Sequence, residues 1–345
     1  MSKDNSKLTL LNSNNKNING DKIEFKGHKS LYIFRRDFRT YDNTAFQKCL
    51  KHSEVVYPIF IFTPEQVISN DFKSSNAIQF MVLSLQDLKE KQKLKELTLF
   101  QGNYLDIITS IIKDTNIDSI YSNTDYTPYA VKRDLEIQEL CATKNINLYL
   151  YHDVNLFPPK SIENLSGNIY QKFTPFYELC LTKDVPKTKR SHSLDPCKSL
   201  SRHQELQKNI VKFDDTNKYY TFNTNIAVEP GRTEGLKILH SIQKFKDYEK
   251  THNMLFLETT QLSAYLKFGC LSIREVYYTL LKKFGKNDPI IRQLFWRDFY
   301  YHIGSGFIHS FGDALKPNYD KIKWIKNKKN LEAWKKGETG YPVVD

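Results

Sequence analysis

What this 345-residue sequence lacks narrows the field first. No run of 18 or more apolar residues occurs, which leaves no candidate for a transmembrane helix. The opening MSKDNSKLTL has no apolar signal-peptide core. The expectation is an intracellular protein of cytoplasm, nucleus or virus factory, not a secreted one, with no membrane partner. Only five cysteines are present, at 49, 141, 180, 197 and 270, and no two are close in sequence. That argues for reduced thiols, against a disulfide scaffold and against a zinc site. No G-x-G-x-x-G follows the first apolar run, so the dinucleotide fingerprint is missing. There is no internal repeat.

What is abundant is aromatic and basic. The chain carries 22 Phe and 21 Tyr, and its net charge is +12. An excess of that size fits a polyanion partner, nucleic acid first, or a lysine-rich composition with no functional meaning.

Residues 1–28, rich in Asn and Lys, read as a disordered N-terminal tail. From Ser30 short apolar runs at 31–34, 55–62, 97–100, 119–121 and 148–151 alternate with helical patterns at 44–51, 77–95, 104–114 and 129–143. Near-continuous apolar strands separated by helices predict an α/β domain over 29–155 with a doubly wound parallel sheet. Ligands in such sheets sit at the carboxyl ends of the strands, which points to the loops after Phe34 and Tyr121. Residues 156–227 read as an interdomain linker with one short helix near 176–181, and 183–204 as exposed basic loop. From Val228 to Asp345 the pattern is helical. Residues 231–248 read as one helix, Ser272 and Glu275 as a capping box, and Gly269 and Gly285 as helix stops. Lys321, Lys323, Lys326, Lys328 and Lys329 form a basic patch ahead of a turn around Trp334. At the other end, Gly340-Tyr341-Pro342 has the look of a helix start, from which the expectation is a chain cut within a domain.

The most unusual stretch is 288–304, DPIIRQLFWRDFYYHIG. Asp288 can cap and Pro289 suits the first helical position. At 3.6 residues per turn Gln293, Trp296, Arg297 and Tyr300 share a face, while Ile291, Leu294, Phe295 and Phe299 fill much of the rest. An amide, an indole, a guanidinium and a phenol in place of the usual Lys and Glu suit a planar ligand. The alternative is a core helix with a satisfied Arg.

These segments together resemble the DNA photolyase/cryptochrome flavoproteins. The resemblance rests on IFRRDFRTYDN (33–43), DYTPYAVKRD (125–134), QKFTPFYE (171–178), TTQLSAYLKFGCLSIRE (259–275), QLFWRDFYYH (293–302) and the Trp324-to-Asp345 stretch ending TGYPVVD, six matches in order. It implies an antenna α/β domain joined to an incomplete all-α FAD-binding domain. It also implies light-driven repair of pyrimidine dimers in damaged DNA by electron transfer from reduced FAD. An antenna chromophore of folate or deazaflavin type would sit in the first domain, and a second polypeptide would complete the flavin domain. The alternatives are a non-catalytic relic or a cryptochrome-like DNA-binding or light-sensing protein.

By the same resemblance Tyr248, Thr259, Thr260, Gln261, Leu262, Ser263 and Arg297 would bind the cofactor. The hydroxyls of Thr259, Thr260 and Ser263 would face its diphosphate. Trp296 would stack on a lesion flipped out of the duplex, with Gln293, Tyr300 and His252 also contacting the DNA. Trp324 would be the outer station of an electron-transfer chain. Three positions depart from the pattern. Gln293 stands where cyclobutane-repairing members carry Glu, and six-four photolyases and cryptochromes carry Gln. His252 replaces an Arg, and Gln261 replaces another.

Overall fold

The computed structural model describes residues 10–11, 28–68 and 70–345. Most of the predicted tail over 1–28 therefore lies outside the described residues. Leu10–Leu11 does not fit that reading. It forms a short strand, β1, beside Leu150 and Tyr151.

The α/β part runs β2 (His28–Phe34), α1 (Thr44–His52), β3 (Ser53–Phe62), α2 (Pro64–Val67), α3 (Ser75–Glu90), β4 (Thr98–Gln101), α4 (Tyr104–Thr115), β5 (Ser119–Asn123), α5 (Pro128–Lys144) and β6 (Asn147–Tyr151). The six strands are parallel, in the order β1-β6-β5-β2-β3-β4. Capping chemistry sets the helix limits. Asn43, Ser74, Asn103 and Thr127 side chains accept from the first-turn amides of α1, α3, α4 and α5, and Pro128 opens α5. Asn116 and Asn145 end α4 and α5 in the left-handed region. Helix α3 stops at Glu90, short of the predicted Lys95, and Lys93 turns left-handed in the loop that follows.

Strand side chains alternate as the pleat requires. Leu31, Ile33, Ile59 and Ile61 pack with Ile107, Ile108, Ile111 and Ile137 of α4 and α5. Tyr32, Phe34, Phe60 and Phe62 face the other way and join α1 and α3. This second core does not stop at the sheet. It continues through Tyr265, Leu271, Val276, Leu280 and Phe295 of the helical part.

The stretch from 153 to 231 is less loose than its composition suggests. It forms α6 (Phe173–Leu181), two 3-10 turns at Gln204–Asn209 and Asp214–Tyr219, and isolated bridges from Cys197 to Val56 and from Ile210 to Phe100. Val185, Cys197 and Leu200 are buried, which corrects the reading of 183–204 as exposed loop. The chain then enters α7 (Arg232–His240), α8 (Tyr248–Thr251), α9 (Leu262–Lys267), α10 (Ile273–Phe284) and α11 (Pro289–Gly306). The single helix expected over 231–248 is broken, because the Ser241 amide and hydroxyl both take the Lys237 carbonyl.

A buried ionic seam locks the sheet edge to these helices. Arg39 donates to Asp153 at 2.5 Å and to the Gly269 carbonyl at 3.1 Å. Arg274 reaches Asp42 at 2.8 Å and Asp153 at 2.9 Å. Burial opposes the charge on Asp153, but the two guanidiniums hold its carboxyl well below the usual carboxylate range. Gly269 sits in the left-handed region against the backbone of Arg36 and Asp37. A Cβ there would collide with the Arg36 carbonyl and lie 2.6 Å from the Asp37 Cα.

By backbone contacts the chain divides after Gly306. The second unit, Phe307–Asp345, contains 3-10 turns at Ile308–Phe311 and Pro317–Lys321 and one helix, α12 (Lys328–Lys336), longer than the single turn expected. Among the described residues no helix is long and apolar enough to cross a membrane.

Candidate functional site

Helix α11 begins as the sequence implies, with the Ile290 amide donating to Asp288 Oδ1 at 2.9 Å. Its inner face is buried. Ile291, Leu294, Phe295 and Phe299 join the core, and between them sit Asp298 and His302. Asp298 accepts from the Phe157 amide at 2.9 Å and from Asn155 Nδ2 at 3.1 Å. Burial pushes its carboxyl up to about 6. His302 Nε2 lies 3.0 Å from the Phe157 carbonyl. Tyr126 pairs with His152 at 2.5 Å in the same layer, and burial with His302 nearby lowers His152 to about 4.

The outer face is open. Gln293 and Tyr300 are exposed and Trp296 is half-buried. Trp296 is not a free platform, however. The ring of Phe173, from α6, stacks on it with centroids 3.6 Å apart and planes 6° from parallel, and Phe173 in turn stacks on Tyr177. Tyr300 lies near-parallel to the indole at 5.9 Å. Arg297 is spent differently from the expectation of a cofactor ligand. It donates to the carbonyls of Val154 and Leu266 and covers the Tyr301 ring at 4.7 Å.

Two short elements flank α11. Helix α8 lies alongside it and α9 is tied to it through Arg297 and Leu266. Tyr248 opens α8, half-buried, and stacks on His252 with centroids at 5.0 Å. In the 259–263 turn Gln261 is left-handed and exposed, and Leu262 is buried as the anchor. The Thr260 hydroxyl accepts from the Leu262 amide at 3.4 Å. Among the described residues the Thr259 and Ser263 hydroxyls, both exposed, make no hydrogen bond. The turn thus presents two hydroxyls without a partner among the described residues. The Ser272 cap forms with the amides of Arg274 and Glu275, but Glu275 does not reach back. Its carboxylate holds Arg232 at 2.8 Å through both oxygens, so only half of the expected capping box exists. Trp324 lies in the second unit and is 76% exposed.

A separate cavity of about 560 Å³ opens at the carboxyl edge of the sheet, where the loops after Phe34 and Tyr121 were singled out. Both loops line it, through Arg35, Arg36 and Asp125. Its other walls are aromatic, including Phe60, Tyr104 and Tyr129. Arg35 is anchored by Asp134 at 2.8 Å, yet Arg35 Nε and Arg133 Nη2 are buried without a hydrogen-bond partner among the described residues. Ring faces and guanidinium groups together in its wall, with Arg133 lying over the Tyr104 and Tyr129 rings, suit a planar ligand. The contribution of Thr63, Gln66 and Tyr104 was missed in the sequence. The signal was available, since the loops after β3 and β4 end at the same edge.

With this geometry in view, the relatives are informative. Residues 30–192 match the family described as DNA photolyase, and 290–345 match the FAD binding domain of DNA photolyase. A deoxyribodipyrimidine photo-lyase of Buchnera aphidicola is 29% identical across 92% of this chain and 68% of its own length. Cryptochrome-1 of Spalax judaei is 26% identical across 92% of this chain and 58% of its own. The solved photolyase of Sulfolobus tokodaii, described with two FAD molecules, superposes with a TM-score of 0.76 at 31% identity, covering 92% of this chain and 68% of that one. The chain belongs to the DNA photolyase/cryptochrome family. It spans about two thirds of the photolyases it matches and somewhat more than half of that cryptochrome.

Proposed function

We propose that this chain is a light-driven flavoprotein of the photolyase type that acts on pyrimidine dimers in DNA. The observation that carries the reading is the outer face of α11, where a braced indole stands beside an exposed amide and phenol that the fold does not need. FAD would be held by Tyr248, Leu262 and the free hydroxyls of Thr259 and Ser263, with Thr260 and Gln261 shaping the turn. When bound and reduced, it supplies on excitation the electron that opens the dimer and is returned afterwards. The chain's own residues do the rest. Trp296 stacks on the flipped lesion, Tyr300 borders it, and Gln293 both donates to and accepts from the pyrimidine edge. His252, stacked on Tyr248, would contact the DNA from α8. Trp324, exposed in the second unit, would be the surface end of an electron route. The sheet-edge cavity, with ring faces and the Arg35, Arg36 and Arg133 side chains in its wall, would hold the antenna chromophore.

A second reading has one specific observation in its favour. Gln293 is neutral and two-sided in hydrogen bonding, where an ionised Glu would only accept. That favours a six-four lesion, or a cryptochrome-like sensing role, over a cyclobutane dimer.

The test is repair by the full chain with reduced FAD on oligonucleotides carrying either lesion, read by chromatography after illumination. Light-dependent loss of one lesion that Trp296→Ala abolishes is the expected result. Flavin retention without repair would favour the sensor. Salt-sensitive DNA binding with neither flavin nor repair would leave a relic.

A further inference from the structure

The basic charge of this protein is not spread evenly. Residues 316–336 hold eight lysines and two acids, a net of +6, half of the chain's +12 in a small fraction of its length. Among the described residues only Lys335 of the eight makes an ion pair, with Glu332 at 2.8 Å. The other acid, Asp320, is occupied by the Ala314 amide at 2.7 Å. Aromatic rings are interleaved with this charge, and they are not buried. Tyr319 is 56% exposed, Trp324 76% and Trp334 60%. Between the 3-10 turn at Pro317–Lys321 and α12 the backbone is irregular over 322–327, so Lys323, Trp324, Ile325 and Lys326 follow one another along the surface.

A solvated charge run does not need exposed indoles, and exposed indoles without charge would favour a protein partner. The combination has a narrower chemistry. Lysines neutralise phosphates, and ring faces stack on bases whose own faces are free. A duplex hides those faces within its stack, so the segment suits an unpaired strand.

We propose that residues 316–336 form a binding surface for single-stranded nucleic acid. Lys321, Lys323, Lys326, Lys328 and Lys329 track the backbone, and Trp324 and Trp334 stack on bases. The site lies wholly within the second unit and is independent of any flavin.

The experiment uses the full chain, in the dark and without FAD, titrated into fluorescein-labelled oligothymidylate, a duplex and, as a base-free polyanion, heparin. Anisotropy and tryptophan emission are read across a salt series. Oligothymidylate should bind more tightly than duplex and quench tryptophan emission. Trp334→Ala should weaken it about 10-fold. Replacing Lys323, Lys326, Lys328 and Lys329 together by Gln should flatten the salt slope by about 2–3. All five positions are exposed, and circular dichroism checks that the variants are folded. An unchanged salt slope in the lysine variant overturns the proposal. So does binding without tryptophan quenching, or duplex preferred over the single strand. Repair activity is not read, so the outcome does not bear on the flavin reading.

Discussion

The two faces of α11 obey opposite rules. On the inner face every large side chain is buried, and Asp298 and His302 are tied to the 155–157 backbone and its neighbours. On the outer face Gln293 and Tyr300 are exposed, and Trp296 is braced by Phe173 without being enclosed. The inner residues are what the fold requires. Amphipathic patterning accounts for them, and they would look much the same in any helix packed on this sheet edge. The outer residues are not accounted for by packing, which makes them the better guide to chemistry.

If that division is right, damage should sort by face. The largest loss is expected in the seam that extends the inner face. Arg274→Ala leaves Asp42 and Asp153 with one guanidinium between them and should cost about 3–5 kcal/mol in urea unfolding. A loss below ~1 kcal/mol would mean that the seam is not what joins sheet to helices. Next is Asp298. Its folded pKa lies above its ordinary value, so the stability Asp298 contributes is fully present below the ordinary carboxylate range and is lost as pH rises through about 6. Asp298→Asn removes that dependence. Asn155 can turn its amide so that its oxygen, unpartnered in this structure, accepts from the new side chain. Relative to the parent, the variant should gain about 2–3 kcal/mol between pH 4 and pH 7. A flat difference would show that Asp298 is ionised at little cost. Phe173→Leu removes the brace on Trp296 and should cost about 1–2 kcal/mol, with a shift in tryptophan emission. An unmoved spectrum would place the indole elsewhere. The smallest effect on stability, within ~0.5 kcal/mol, is expected for Gln293→Ala. The same change should weaken binding to lesion-bearing DNA, and unaltered affinity would remove Gln293 from the substrate side.

Much of this was legible in the sequence. The sheet could be read because its strands are short, nearly all apolar and separated by capped helices. α11 announced itself through Asp288, Pro289 and an odd choice of polar residues. What could not be read is pairing over long separations. Nothing local in Arg39, Asp42, Asp153 or Arg274 says that they meet, and nothing near Trp296 says that Phe173 covers one of its faces. The acceptors of Arg297, the carbonyls of Val154 and Leu266, could not be read for the same reason. The connector was underestimated because a chain that pairs through isolated bridges carries no period. The cavity was half found, since strand-end reasoning named the loops after Phe34 and Tyr121 but not Thr63, Gln66 and Tyr104 beyond β3 and β4.

Gly269 carries a practical corollary. Main chain presses on main chain there, with no side chain as a spacer, and the Phe38 amide donates to the Phe268 carbonyl at 3.1 Å. Chimaeras of two relatives spliced within 156–227 would look modular on paper. They would inherit one half of this interlock from each parent, and should assemble only when the segments around 36–43 and 268–274 share a single origin.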